Sequence, residues 1–285
     1  MMKSVDKYRF LHALRPFSFT VALVICLTGL LAAWVEGYHS PMLAGITLLS
    51  ALFLQAGVNL INDYTDLPLL QGAGLAAVRL KIRQNFFVGL GCILLATALC
   101  LFLIAQSGIE LLWLSLLGLA GALGYTLEPV NYKRRGLGVV LVFFFMGTLM
   151  VEGAYFILAE QFSWRVLWLS LPVSVLTSLL LLSNELRDYE ADQRAGIKTL
   201  TVRIGFPLAS TIYKVALLAN YLLVVVYSLS GFLPAAWWCL FSIPLLLKLW
   251  PMLGKAEGER APLTPWTGRL FLLFGLLYCL AIICG

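Results

Sequence analysis

Two short stretches concentrate carboxylates and carboxamides at helical spacing. The first is Asn59-Leu60-Ile61-Asn62-Asp63-Tyr64-Thr65-Asp66, and the second runs from Asn184-Glu185-Leu186-Arg187-Asp188 through Tyr189-Glu190-Ala191-Asp192. Residues three and four apart share one face of a helix. Asn59, Asp63 and Asp66 therefore form one stripe with Asn62 beside it, and Asn184, Asp188 and Asp192 form another. Carboxylates gathered on one face repel each other unless a cation joins them. Magnesium answers that need, because it takes one or two carboxylates and completes its octahedron with water and substrate phosphate oxygens. A solvated, capped helix end also carries Asp and Asn, and one such stretch alone would be read that way. Two alike, each closing an apolar run, point to a site for magnesium (Mg2+) and a diphosphate.

Cations lie near both stretches. Arg194, Lys198 and Arg203 come after the second, and Tyr125 is followed by Lys133, Arg134 and Arg135. A departing diphosphate needs metal and cationic donors as its charge develops. Basic residues also collect on the cytoplasmic side of any membrane protein, so each single Lys or Arg has two explanations.

The elements that must hold these residues are membrane-spanning helices. The 285-residue chain is 61% hydrophobic and 12% charged, against about 25% charged in soluble domains. Nine apolar runs lie near 17–36, 42–61, 86–106, 109–126, 137–158, 166–184, 211–230, 234–252 and 267–284. Each is read as long enough to cross a bilayer core. Placing the N-terminus and every second loop on one side puts all but Arg165 of the 20 Lys and Arg residues there. The positive-inside rule then sets the N-terminus in the cytoplasm and the C-terminus outside. The expected fold is all-α: nine transmembrane helices in a bundle around a central cavity. Residues 1–16 form a cytoplasmic flank and 17–285 a single transmembrane domain. The basic flank and first apolar run could pass for a signal peptide, but no small-residue cleavage site follows.

The charge pattern also accounts for the net +6 without a nucleic-acid partner. Cys26, Cys92, Cys100, Cys239, Cys279 and Cys284 lie in apolar runs without C-x-x-C spacing, and His12 and His39 are the only histidines. Zinc chemistry is thereby excluded. Glu152 lies inside the fifth run, where an ionisable group is expensive and marks a functional or partner-bonded position.

The two acidic stretches, together with Y-T-L-E-P-V-N-Y-K-R-R-G-L-G at 125–138 and V-F-F-F-M-G at 142–147, resemble the UbiA superfamily of intramembrane aromatic prenyltransferases. The most specific stretch is N-E-L-R-D-Y-E-A-D-Q-R-A-G-I-K-T-L-T-V-R-I-G at 184–205. Within the superfamily the motifs look most like the 1,4-dihydroxy-2-naphthoate prenyltransferases of menaquinone synthesis. The resemblance implies a plasma (inner) membrane enzyme with its site facing the cytoplasm. An isoprenyl diphosphate would lie with its head on magnesium and its tail in an apolar groove open to membrane lipid. Loss of diphosphate gives an allylic cation, which an aromatic acid acceptor attacks with decarboxylation.

Carried over by motif, Asn59, Asn62, Asp63, Asp66, Asn184, Asp188 and Asp192 would hold metal and diphosphate. Lys133, Arg187, Arg194 and Lys198 would meet phosphate oxygens, Tyr125 would face the cation, and Arg15 would pair with the acceptor's carboxylate. One departure stands out. The family carries a further Asp soon after the first motif, whereas Leu67-Pro68-Leu69-Leu70-Gln71-Gly72-Ala73-Gly74-Leu75 has none. Other groups then complete the metal shell, or the chain has altered chemistry or none. Another acceptor such as 4-hydroxybenzoate, a non-catalytic prenyl-lipid-binding homologue and a transporter are the competing readings.

Overall fold

The computed structural model describes residues 8–64, 67, 75–125 and 128–285. Helices dominate them. We label the principal ones α1 (Pro16–Val35), α2 (Pro41–Asn62), α3 (Ala76–Ser107), α4 (Glu110–Gly124), α5 (Gly138–Ala159), α6 (Trp164–Arg187), α7 (Phe206–Leu229), α8 (Pro234–Met252) and α9 (Leu263–Cys284). Among the described residues, eight helices are long and apolar enough to cross a membrane. The exception is α4, whose 15 residues reach about 22 Å at the α-helical rise, short of a roughly 30 Å hydrocarbon core.

The helix starts follow from local chemistry. Ser40 accepts from the Leu43 N–H (3.3 Å) ahead of Pro41, and Ser163 accepts from the Val166 N–H (3.4 Å). Such N-caps satisfy amide donors that no preceding turn can reach. Inside α6, Pro172 has no N–H to offer the carbonyl of Trp168, and its ring disturbs the preceding turn. Tyr227 of α7 repairs the loss by donating to Trp168 O (2.6 Å), and Tyr278 of α9 donates to the next carbonyl, Leu169 O (2.9 Å). In hydrocarbon a freed carbonyl must find such a partner, so the proline also locks α6 to its neighbours.

Neighbouring helices pack in chain order, and α9 closes onto α1. α1 runs within this ring and touches α2, α5, α6 and α9. Glycines set the closest approaches. A Cβ on Gly57 would lie 2.9 Å from the Gly89 carbonyl, and one on Gly29 would lie 2.1 Å from the Val151 carbonyl. Small residues let membrane helices gain dispersion contacts where no hydrophobic drive exists between them.

The molecule is apolar outside and partly polar within. Leu80, Phe87, Leu94 and Leu101 form an exposed stripe along α3, while Thr28, Ser170, Ser174, Thr177, Asn220 and Thr267 are buried. That inversion suits a lipid solvent, which needs no polar surface. The chain is a multi-pass membrane protein.

Candidate functional site

Both acidic motifs end a helix, and their aspartates sit at equivalent places. Asp63 is the C-cap of α2 and Asp188 the C-cap of α6. A helix C-terminus carries partial negative charge, so a carboxylate there needs a cation. Arg15, directly before α1, supplies one by donating from Nη2 to Asp63 Oδ1 at 2.8 Å. The Asp63 side chain is 1% exposed and that of Arg15 43%. Arg15 was expected at the acceptor's carboxylate; the fold places it on Asp63.

One turn earlier, Asn59 fastens the start of α1. Its Nδ2 donates to Leu14 O (2.7 Å) and Ser18 Oγ (2.6 Å), and its Oδ1 accepts from Gln55 (3.1 Å). Asn59, expected as a ligand, thus holds the backbone that aims Arg15. Asn62 is half-buried beside it. Asp66 and the variant loop carrying Leu70 lie outside the described residues.

The second motif is more open. Arg187 clasps Asp188 through Nε (2.8 Å) and Nη2 (2.5 Å), with the Asp188 side chain 43% exposed. Asp192 lies one turn on, its N–H donating to the Asp188 carbonyl. Burial pushes the Asp192 carboxyl up from the usual range, and the Asp188 charge pushes it further, while Lys133 opposes the shift. Lys133 Nζ lies 5.9 Å from the centre of the Tyr125 ring. Tyr125 is within electrostatic reach of Glu185, Asp192 and Arg15. Since α1 packs against both α2 and α6, Arg15, Asp63, Tyr125, Lys133, Asp188 and Asp192 gather at one end of the bundle.

The remaining expected residues lie at the end of α6 or beyond it. Arg194 pairs with Glu257, Lys198 is exposed, and the Asn184 side chain is half-buried at the end of α6. Arg203 ties two loops together, donating to the carbonyls of Lys198 (3.0 Å) and Arg134 (3.2 Å).

Two residues with no expected role hold the second motif in shape. Glu185 is buried, and its Oε2 accepts from the Thr201 N–H (3.0 Å) and hydroxyl (3.3 Å). Arg260, 1% exposed, donates to the Leu186 carbonyl (2.9 Å), pairs with Glu190 and stacks 4.3 Å from the Phe206 ring centre. It closes the end of α6 and the start of the short helix Tyr189–Arg194 together. Its only sequence signal is a lone Arg in a loop, indistinguishable from the basic residues around it.

Among the described residues no group of three or more His, Cys, Asp and Glu side chains is gathered for a metal. The donor set still fits magnesium, which needs few carboxylates when phosphates supply the rest. The Asp188–Asp192 repulsion is what a divalent cation would relieve. In chemical terms, this end of the bundle can hold an anion rich in oxygen against Lys133 and a cation.

A model of the UbiA prenyltransferase family matches residues 22–275. The chain belongs to the UbiA prenyltransferase family. Among UbiA relatives, it is 30% identical over 289 residues to UbiA prenyltransferase domain-containing protein 1 of Gallus gallus, covering 95% of this chain and 83% of that protein. It is 29% identical over 228 residues to 1,4-dihydroxy-2-naphthoate octaprenyltransferase of Bacillus subtilis (strain 168), covering 76% and 72%. In fold it is similar to a UbiA homologue from Archaeoglobus fulgidus bound to DMAPP and Mg2+, with TM-score 0.63, 16% identity, and 97% and 99% of the two chains covered. As a UbiA member it is a prenyltransferase-type membrane protein.

Proposed function

We propose that this chain transfers an isoprenyl group from an isoprenyl diphosphate to 1,4-dihydroxy-2-naphthoate, with decarboxylation, in menaquinone biosynthesis. The observation that carries the reading is the pair of C-cap aspartates, with Asp63 held by Arg15, Asp192 within electrostatic reach of Asp188 and Lys133, and Lys133 beside the Tyr125 ring. The naphthoate-specific names among the relatives support the acceptor, and the isoprenyl diphosphates bound by UbiA homologues support the donor.

In this reading Asp188 and Asp192, with Asp66, hold magnesium, which when bound neutralises the diphosphate charge. Lys133 meets phosphate oxygens directly. As the allylic C–O bond breaks, the Tyr125 ring faces the growing carbocation. The acceptor ring forms the new C–C bond, and its carboxyl leaves as carbon dioxide. Asp63 and Arg15 keep a fixed charge pair at the mouth. The 15-residue α4 counts as the ninth membrane helix, the N-terminus and the site face the cytoplasm, and the membrane is the plasma membrane.

The test is a prenyl-transfer assay on purified protein in lipid, with 1,4-dihydroxy-2-naphthoate, a long-chain isoprenyl diphosphate, and magnesium or a chelator. Magnesium-dependent prenyl-naphthoquinol bears the reading out. Prenylation of 4-hydroxybenzoate alone would reassign the acceptor. Diphosphate binding without product would make this a non-catalytic prenyl-lipid binder, the reading that the carboxylate-free loop favours.

A further inference from the structure

A cavity of about 520 Å3 opens between α4, α5 and the start of α6. It lies toward the end of the bundle opposite Asp188, since α4 and α6 begin there. Its lining is mostly apolar and aromatic, with Leu114, Leu117, Phe144, Phe145, Leu149 and Trp164, and its neutral polar members Thr148 and Ser163 are already hydrogen-bonded, to Ser174 and to the Val166 N–H. Phe144 and Phe145 belong to a π-helical turn, Phe143–Thr148, that interrupts α5. Such turns recur at functional sites, because the extra residue re-aims the side chains around it.

One ionisable side chain shares this apolar wall. Glu152 is 6% exposed, its carboxyl faces the backbone of Ser163, and its Oε2 has no hydrogen-bond partner. Lipid chains alone could fill the cavity, but they would leave that oxygen unsatisfied in hydrocarbon, which is costly. A lone water would need two to four polar partners. The missing group is a hydroxyl donor carried on an apolar body, with a flat ring to suit the Phe and Trp walls.

We propose that this cavity is a second, non-catalytic site for a prenylated hydroquinone. The ring hydroxyl donates to Glu152 Oε2, and the isoprenoid chain runs along Leu114 and Leu117 into lipid. The choice of a prenylated ring rests on the proposed reaction, whose product has that chemistry. The chain's own product and a hydroquinone already in the membrane would be recognised alike.

The test uses full-length protein in phosphatidylcholine nanodiscs free of quinone, kept under argon. The probe is a farnesylated 1,4-naphthohydroquinone carrying a diazirine, with labelled peptides mapped after illumination. Saturable labelling around 113–117, 143–149 or 162–167 is expected. Glu152→Leu should weaken it by about tenfold, the scale of one lost hydrogen bond at a buried acceptor. Glu152→Gln keeps a carbonyl acceptor and should stay within about threefold. The di-O-methyl ether of the probe has no donor and should bind the unaltered protein as weakly as the hydroquinone binds Glu152→Leu, an arm that needs no variant to fold. Equal affinity of ether and hydroquinone, or labelling confined to the ends of α2 and α6, would overturn the proposal.

Binding is read without turnover, so the two readings fail separately. Labelling in protein that makes no product keeps this site and removes the proposed reaction. Product without saturable labelling does the reverse. Displacement of the probe during turnover identifies the chain's own product as occupant, and displacement only by added hydroquinone identifies the membrane pool.

Discussion

Asp63 and Asp188 stand in the same relation to their helices: each directly follows the last helical residue, and each is held by an arginine. Their surroundings differ. Asp63 is buried against the arginine that precedes another helix, whereas Asp188 is clasped by its own neighbour in a half-open setting. Water screens the second pair, and exposed pairs contribute little to stability. Asp188 can therefore exchange Arg187 for a cation at small cost, while Asp63–Arg15 is built into the fold. Asp188→Asn should lower kcat about a hundredfold, the scale of a lost electrostatic contact to the transition state, with an unchanged melting temperature. Turnover and thermal melting on the same preparation check this, and near-normal turnover would remove Asp188 from the site.

Arg15→Ala should act on stability first. It leaves a buried carboxylate at the negative end of α2 without its arginine, which costs about 1–3 kcal/mol for a buried acceptor. Asp63→Asn in the same chain should recover most of that loss, because the charge needing compensation is gone. A double-mutant cycle on unfolding measures the coupling. Additive losses would mean that Arg15 and Asp63 do not depend on one another.

Arg260 should be irreplaceable by lysine. Its guanidinium serves a carbonyl, a carboxylate and a ring face at once, a geometry a single ammonium cannot reproduce. Arg260→Lys should raise KM for the diphosphate several-fold by loosening the turn between Asp188 and Asp192. Glu190→Gln should do so less, since the Leu186 contact remains. Steady-state kinetics at saturating acceptor decide the matter. Unchanged KM in both variants would confine Arg260 to fold stability.

Much of this was legible in the sequence, for identifiable reasons. The apolar runs locate the helices because lipid-facing sides need no polar residue, as the Leu80–Leu101 stripe shows. Helix ends were harder. α3 begins at Ala76 rather than near 86, since Arg79, Lys81 and Arg83 continue the helix beyond the apolar run. The 109–126 run proved a short helix, because hydropathy registers apolar character and not where hydrogen bonding stops. At the site, spacing alone singled out Asp63 and Asp188. It could not distinguish Asn59 the tether from Asn59 the ligand, because its partners Leu14 and Ser18 lie at the start of a helix distant in sequence. Glu185 and Arg260 were invisible for the same reason, although Glu185 lies inside the motif and its burial follows from the inward face of α6.

Gly57 tests whether the site depends on helix packing. A Cβ there would press on the Gly89 carbonyl at 2.9 Å and on Ile93 Cγ1 at 2.6 Å. The flexible Ile93 tip can move; the backbone carbonyl cannot move without α3. Gly57→Ala should therefore cost about 1–3 kcal/mol, the usual price of overpacking, and should push α2 away from α3. Asp63 lies less than two turns further along α2, so the shift reaches the Asp63–Arg15 pair. Gly45→Ala is the matched control, since nothing lies within 4 Å of a Cβ there. Melting temperature and turnover should both fall in Gly57→Ala and neither in Gly45→Ala. A fall in melting temperature alone would show that the α2–α3 seam stabilises the bundle without setting the geometry of its acidic end.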